Sequence, residues 1–279
     1  MKIGIAGAGT MGSGIAQAFA ANEKYEVLLC DINLEIAEKG LSRMTAKLQK
    51  SVDKGKMPDG QAKGILSRIK AGTIEQLTDC GLVIEAVMED MAIKKELFGK
   101  LQKICPPATL FATNTSSLSI TEIGQGLDRD LVGMHFFNPA EVLKLVEVIA
   151  GMNSAAGNIE KIKQIALDIG KVPVVVNESA GFVVNRILIP MINEAVGVLA
   201  DGVAGAEDID TAMKLGANHP IGPLALADLV GLDVCLAIME VMHRETGEDK
   251  YRPHPLLRKM TRGGLLGRKS GRGFFKYDS

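Results

Sequence analysis

Residues 2–20, KIGIAGAGTMGSGIAQAFA, decide the fold. Lys2–Ala6 has the composition of a short buried strand, and an apolar run with helical composition begins at Gly14. Between them stands G-x-G-x-x-G, with Gly7, Gly9 and Gly12 as its glycines and Thr10 and Met11 inside it. In that context Gly7 permits the tight turn, Gly9 lets the backbone approach a pyrophosphate, and Gly12 packs helix on strand. The start of the helix offers unpaired N–H donors and the positive end of its dipole to phosphates. A second strand, Glu26–Cys30, ends at Asp31. A carboxylate there accepts hydrogen bonds from the adenosine ribose hydroxyls and repels a 2′-phosphate, so NAD is expected rather than NADP.

Outward from this unit, about fifty residues precede the next strong strand, Leu82–Val87, more than a simple crossover requires. Ile36–Val52 is expected to be an amphipathic helix, with Ala37, Leu41, Met44 and Leu48 on one side. Lys39, Arg43, Lys47, Lys50 and Lys54 form a basic stripe opposite, either a solvated outer face or a docking surface for a multiply phosphorylated ligand. Met57–Gly60 breaks the helix and Gln61–Ile69 returns, which predicts an inserted helical hairpin. Leu82–Val87 and Ala108–Ala112 end in the polar clusters Met88-Glu89-Asp90 and Thr113–Ser117. In open parallel sheets, ligands sit beyond such strand ends. Ser119 with Glu122 resembles a capping box, so Ser116 and Ser117 also fit a plain loop before a cap. No G-x-S-x-G elbow surrounds them, which argues against a nucleophilic serine.

Further along, Val132–Ile149 reads VGMHFFNPAEVLKLVEVI. Leu131–Met134 and Val142–Ile149 have strand composition and flank a break at Phe-Phe-Asn-Pro. Residues two apart in a strand share a face, which puts Glu147 among Leu143, Leu145 and Ile149. A carboxylate on an apolar face needs an answering group, and His135 is the nearest in sequence. If the two runs pair, His135 and Glu147 meet as a base and its orienting carboxylate. The alternative is an exposed edge strand with a solvated Glu and a structural His. His219, His243 and His254 lie in loop or polar surroundings and read as structural or solvent-exposed.

A helix at Ala156–Ile169 and a strand at Lys171–Val176 complete an α/β domain near Asn177. Beyond it Phe182–Leu199, Ala206–Leu215 and Leu224–Met242 all read as helices, and the glycine-rich stretch Gly263–Phe275 as an ordered turn. The first helix is apolar nearly all round, so burial centrally or against another subunit is expected; Asn185 on its stripe with Phe182 and Ile189 needs a partner or ligand. The formal net charge of the 279-residue chain is −1, which leaves no electrostatic footprint for nucleic acid or an anionic membrane. Cys30, Cys80, Cys105 and Cys235 are scattered without metal-ligand spacing, so reduced thiols and no metal are expected. Strand-like residues follow Met1 directly and Phe182–Leu199 carries polar side chains, so neither a targeting peptide nor a membrane span is expected, and the protein reads as cytoplasmic.

The blocks GAGTMG at 7–12, VIEAVMED at 83–90, NTSSLSI at 114–120 and HFFNPAEVLKLVEVI at 135–149 occur in order. SAGFVVNRIL at 179–188, NHPIGPLALADLVGLD at 218–233 and RKSGRGFFKY at 268–277 follow. Together they resemble the 3-hydroxyacyl-CoA dehydrogenase family along the whole chain, nearest to its bacterial 3-hydroxybutyryl-CoA branch. The resemblance implies an α/β fold: a Rossmann-like doubly wound sheet with an inserted helical hairpin at 1–178, then an all-α C-terminal domain at 179–279 for substrate and dimerisation. It implies His135 as general acid/base held by Glu147, Ser116 on the substrate oxygen, and Asn185 completing the site. Glu89, Lys94, Asn114, Asn138 and Lys269 would join Asp31 and the glycine loop around NAD. The hairpin would take the CoA nucleotide of an acyl-CoA through Lys54, with Lys47 where some relatives have a serine. A homodimer or higher homo-oligomer working in fatty acid or butyrate metabolism is implied as well. The competing expectations are a dehydrogenase of a free hydroxy acid on the same scaffold, and a non-catalytic NAD- or acyl-CoA-binding protein.

Overall fold

The computed structural model describes residues 1–277, so the last two positions of the expected 179–279 segment lie outside the described residues. Two compact units meet in sequence at Glu178/Ser179.

The first unit runs β1 (Lys2–Ala6), α1 (Thr10–Ala20), β2 (Glu26–Asp31), α2 (Leu34–Asp53), α3 (Asp59–Ser67), β3 (Ile69–Thr73), β4 (Leu82–Glu85) and α4 (Met91–Ile104). It continues with β5 (Leu110–Thr113), α5 (Ile120–Ile123), β6 (Leu131–Phe136), β7 (Leu145–Ala150), α6 (Ala156–Asp168) and β8 (Val172–Asn177). The strands form one sheet in the order β3-β2-β1-β4-β5-β6-β7-β8, parallel except where β6 meets β7. Strands at its centre are buried on both faces, which is why β1 and β4 read as unbroken apolar runs rather than alternating ones. The core joins Ile3, Ile5, Leu29 and Ile84 of the sheet to Ile15 and Phe19 of α1 and Met44 and Leu48 of α2. Strand order reverses between β1 and β4, and this opens the crevice beyond their carboxyl ends.

The inserted hairpin is present as α2 and α3, with Asn33 capping α2 by accepting from the Ile36 N–H at 3.0 Å. Its end differs from expectation. The chain does not stay helical to Ile69 but turns into β3, which extends the sheet beside β2 in register Val27↔Ile69 to Asp31↔Thr73. The segment Ile-Lys-Ala-Gly-Thr is too short and too weakly patterned to declare itself as an edge strand. The strand expected from Val142 begins at Leu145 instead, because residues 139–143 turn; Leu143 is therefore largely exposed rather than part of the apolar face.

The second unit contains α7 (Val184–Ala200), α8 (Ala206–Gly216), α9 (Pro223–Val230), α10 (Leu232–Thr246) and α11 (Pro255–Arg262). Ile189, Ile192, Val196, Leu224, Leu232, Met239, Met242 and Leu257 form its core. The single helix expected over Leu224–Met242 is two, broken at Gly231 with φ +105°. Helix α11 was not foreseen; His254, expected to be structural or exposed, caps it by accepting from the Leu256 N–H. The glycine-rich tail folds as an ordered turn on the buried Asp228 carboxylate, which accepts from the Phe274 and Phe275 N–H groups and the Tyr277 hydroxyl. On α7, Ile189 and Ile192 are buried but Ile187 is 70% exposed, so one face of this apolar helix stays open. Among the described residues no helix is long and apolar enough to cross a membrane.

Candidate active site

The site is assembled at the carboxyl ends of the strands of the first unit. Gly7 follows β1 with φ +117°, a conformation that glycine alone adopts without strain. A Cβ on Gly12 would stand 1.7 Å from the Gly7 carbonyl oxygen, so the first turn of α1 can lie against the loop only because that atom is missing. At Gly9 an added Cβ meets nothing within 4 Å, so the loop is open on the side where a ligand would approach. Helix α1 starts at Thr10, earlier than the motif suggested, which makes Thr10, Met11 and Gly12 its first turn. Asp31, at the end of β2, accepts from the Ala8 N–H at 2.6 Å and the Ile32 N–H at 2.8 Å; its carboxylate is thereby fixed beside the loop. These groups fit a dinucleotide: donors for the pyrophosphate, and an oriented carboxylate for the ribose.

Beyond β4 and β5 the expected polar clusters come together. Glu89 accepts from the Thr115 hydroxyl at 2.6 Å and from the backbone N–H groups of Ser116 and Ser117 at 2.7 and 3.1 Å. Lys94 is 1% exposed, its ammonium shared between Glu85 at 2.6 Å and Glu89 at 3.2 Å, so it stands inside the wall of the crevice. Asn114 turns its side-chain carbonyl to the Phe136 N–H at 2.8 Å and so ties the end of β5 to the end of β6. Asn138 is exposed in the loop that follows.

His135 and Glu147 are direct partners in the antiparallel register of β6 and β7, which puts their side chains on one face. His135 Nδ1 lies 2.8 Å from Glu147 Oε2. Glu147 is fully buried and His135 is 3% exposed, with the imidazole against the Phe137 ring at a centroid distance of 4.4 Å. The exposed-edge alternative does not hold, since β7 is covered on its other side by β8. With Nδ1 on the carboxylate, the imidazole can exchange a proton through Nε2, the geometry of an oriented acid/base.

The loop between β6 and β7 is held by residues the sequence reading passed over. Lys171 donates to the carbonyls of Ala140 at 2.5 Å and Leu143 at 2.8 Å; burial pushes its ammonium below the usual lysine range, and Glu141 pulls partly the other way. Glu141 in turn pairs with Lys47 of α2. Arg43 donates to the Ala8 carbonyl at 3.0 Å. Arg43 and Lys47 thus border a cavity of about 170 Å³ at the glycine loop with Gly9, Thr10 and Ser13, whereas Lys54 is exposed at the end of α2. Part of the basic stripe therefore borders the glycine-loop cavity while remaining exposed to solvent. In the second unit, Asn185 is 8% exposed in the first turn of α7. Phe182, expected on its helical stripe, instead precedes the helix in a turn with φ +51°, so the helix begins at Val184. Lys269 pairs with Asp233 at 2.5 Å. The four cysteines are free and buried. Glu85 was also missed, although a lone Glu closing an apolar strand, nine residues before a lysine, was a readable sign of a buried ion pair.

Residues 2–179 match the family described as 3-hydroxyacyl-CoA dehydrogenase, NAD binding domain, and residues 181–277 the 3-hydroxyacyl-CoA dehydrogenase, C-terminal domain. The chain is 52% identical over 281 residues to the 3-hydroxybutyryl-CoA dehydrogenase of Clostridioides difficile, covering 100% of both chains. It is 50% identical over 280 residues to a probable 3-hydroxybutyryl-CoA dehydrogenase of Bacillus subtilis, covering 99% of this chain and 97% of that one. Among solved structures, that of the (S)-3-hydroxybutyryl-CoA dehydrogenase of Ralstonia eutropha superposes with a TM-score of 0.93 at 44% identity, covering 100% of this chain and 99% of the other. With both family segments matched in order and a nucleotide crevice built in the first, the chain belongs to the 3-hydroxyacyl-CoA dehydrogenase family of NAD-dependent enzymes.

Proposed function

We propose that the chain interconverts an (S)-3-hydroxyacyl-CoA and the 3-ketoacyl-CoA, with 3-hydroxybutyryl-CoA and acetoacetyl-CoA as its substrate pair. The observation that carries this is the buried His135–Glu147 pair at the carboxyl edge of the sheet that ends in the glycine loop. Bound NAD supplies the hydride acceptor for oxidation, and its reduced form the donor for reduction. His135 takes the hydroxyl proton at Nε2 as the alcohol is oxidised and returns it to the ketone oxygen in reduction. Glu147 favours the imidazolium that forms, and a positioned proton transfer of this kind contributes about 10²- to 10⁴-fold. Ser116 hydrogen-bonds the substrate oxygen, and Asn185 is the fourth catalytic residue of the proposal. Around the dinucleotide, Asp31 and the Gly7–Gly12 loop are joined by Glu89, Lys94, Asn114, Asn138 and Lys269; Lys94 acts from within the wall, through its carboxylate partners.

Lys47 on α2 and Lys54 just past its end receive the phosphates of CoA, with Glu141 as the counter-charge that Lys47 exchanges. The enzyme works in the cytoplasm, in fatty acid or butyrate metabolism, as a homodimer or larger homo-oligomer. Association would cover the exposed Ile187, Val203 and Leu215 of the second unit.

The test is NADH consumption with acetoacetyl-CoA beside acetoacetate and a longer 3-ketoacyl-CoA. Rapid oxidation with the C4 thioester alone is expected. Turnover only with the CoA-free acid would replace the proposal with a hydroxy-acid dehydrogenase, and NADH binding without turnover of any of them would make the chain a binding protein.

A further inference from the structure

Strand β4 ends in a carboxylate that neither the glycine loop nor the His135–Glu147 pair explains. Glu85 is fully buried, and a buried charge survives only when its oxygens are answered. Oε1 accepts from the Lys94 ammonium at 2.6 Å and the Val87 N–H at 2.7 Å, and Oε2 accepts from the Thr113 hydroxyl at 2.6 Å. Every one of these donors sits at the carboxyl end of β4 or β5 or in the first turns of α4.

The chain of contacts runs on from Lys94. Its ammonium also holds Oε2 of Glu89 at 3.2 Å, and Glu89 turns its other oxygen to the loop after β5. That single oxygen accepts from Thr115, Ser116 and Ser117 in succession, twice through backbone N–H groups. Glu89 has a 38% exposed side chain and its Oε1 is tied to a loop, so the Lys94 ammonium on Oε2 is what anchors the carboxylate, and the loop with it, to the sheet side. Lys94 is fixed because Glu85, in the rigid centre of the sheet, fixes it.

We propose that Glu85 is a positioning residue for the reaction: through the Glu85–Lys94–Glu89 relay it sets the backbone of Ser116, and hence the hydroxyl that meets the substrate oxygen. A charged relay suits this task better than apolar packing, because each link has one favoured geometry and fully satisfied buried networks specify position. The kinetic part of the inference rests on the role proposed above for Ser116. The mechanical part, that Glu85 restrains the Thr115–Ser117 backbone, stands without it.

The experiment uses the full chain as Glu85→Gln, Ser116→Ala and the double variant, with Glu85→Asp as the charge-preserving control. A misplacement of about 1 Å costs on the order of 10²-fold in rate, so Glu85→Gln should lower kcat for acetoacetyl-CoA reduction between about 10- and 100-fold. At saturating NADH, so that any effect on the dinucleotide through Lys94 and Glu89 falls in KM, the same change in the Ser116→Ala background should cost less than about twofold in kcat, since both then act through one hydroxyl. Amide hydrogen exchange at Ser116 and Ser117 should quicken at least about tenfold in Glu85→Gln, with the glycine-loop amides unchanged, and Glu85→Asp should fall between. Equal losses in both backgrounds, or wild-type exchange at Ser116 and Ser117, would overturn the relay. If Glu85→Gln does not fold, the Glu85→Asp exchange pattern decides. If the wild type does not turn over acetoacetyl-CoA, the substrate proposal fails while amide exchange still judges the relay.

Discussion

Replacing Glu147 with glutamine removes one charge and almost no volume from the centre of the candidate site. Its Oε2 lies 2.8 Å from His135 Nδ1, and neither side chain is more than 4% exposed. Two unit charges at that separation attract by about 6 kcal/mol at an effective dielectric of about 20. The amide carbonyl still accepts the Nδ1 hydrogen bond, so the orientation of the ring survives and part of that energy is recovered, about 1 kcal/mol. What is lost is the carboxylate's attraction for the charge that develops on the ring when the hydroxyl proton leaves the substrate. A loss of about 3–5 kcal/mol in transition-state stabilisation corresponds to about 10²- to 10⁴-fold in kcat. The assay is steady-state oxidation of 3-hydroxybutyryl-CoA by NAD, the direction in which the ring takes up the proton, with NADH affinity measured separately by fluorescence. The expected result is a fall in kcat of that size with NADH binding within about twofold of wild type. If Glu147 works through His135, the double variant with His135→Gln should be little slower than His135→Gln alone. Unchanged turnover in Glu147→Gln and in His135→Gln would refute the acid/base pair outright.

Two further outcomes are expected. Gly12→Ala places a Cβ 1.7 Å from the Gly7 carbonyl oxygen, both of them backbone that cannot give way; NADH binding should be lost, and the thermal midpoint should fall by an amount equivalent to about 1–3 kcal/mol or more. Burial and the Asp228 carboxylate push the Tyr277 phenol from its ordinary 10.0 up to about 12. The folded chain therefore holds a proton that the unfolded chain releases between those values, so the stability from this group is complete below about pH 10 and is lost as pH rises toward 12. Thermal melts of wild type and Tyr277→Phe should converge over that interval, and parallel curves would show that the phenol is not the group responsible.

The sequence by itself determined the nucleotide-binding half of the site, because local chemistry suffices there. A strand, a tight glycine turn and a helix start are contiguous, and the distance from Gly12 to Asp31 is set by one βαβ unit. His135 and Glu147 were readable as a pair because a carboxylate on an apolar strand face demands a partner and one stood across the next break. Only the tertiary structure decided that they meet, since the antiparallel register of β6 on β7, and the cover that β8 gives to β7, are long-range facts. The same holds for Lys94 and Glu89, expected on a cofactor and found joined to each other and to Glu85. It holds too for Lys47, whose outward stripe bends back to Glu141 on a loop 94 residues away. Helical and strand periodicity say which face of an element is apolar, but not which distant charge will face a given charge. That choice belongs to the packing of strands β4 to β8 and of α2 against the glycine loop, where a buried ion must find its counter-ion or the fold does not form.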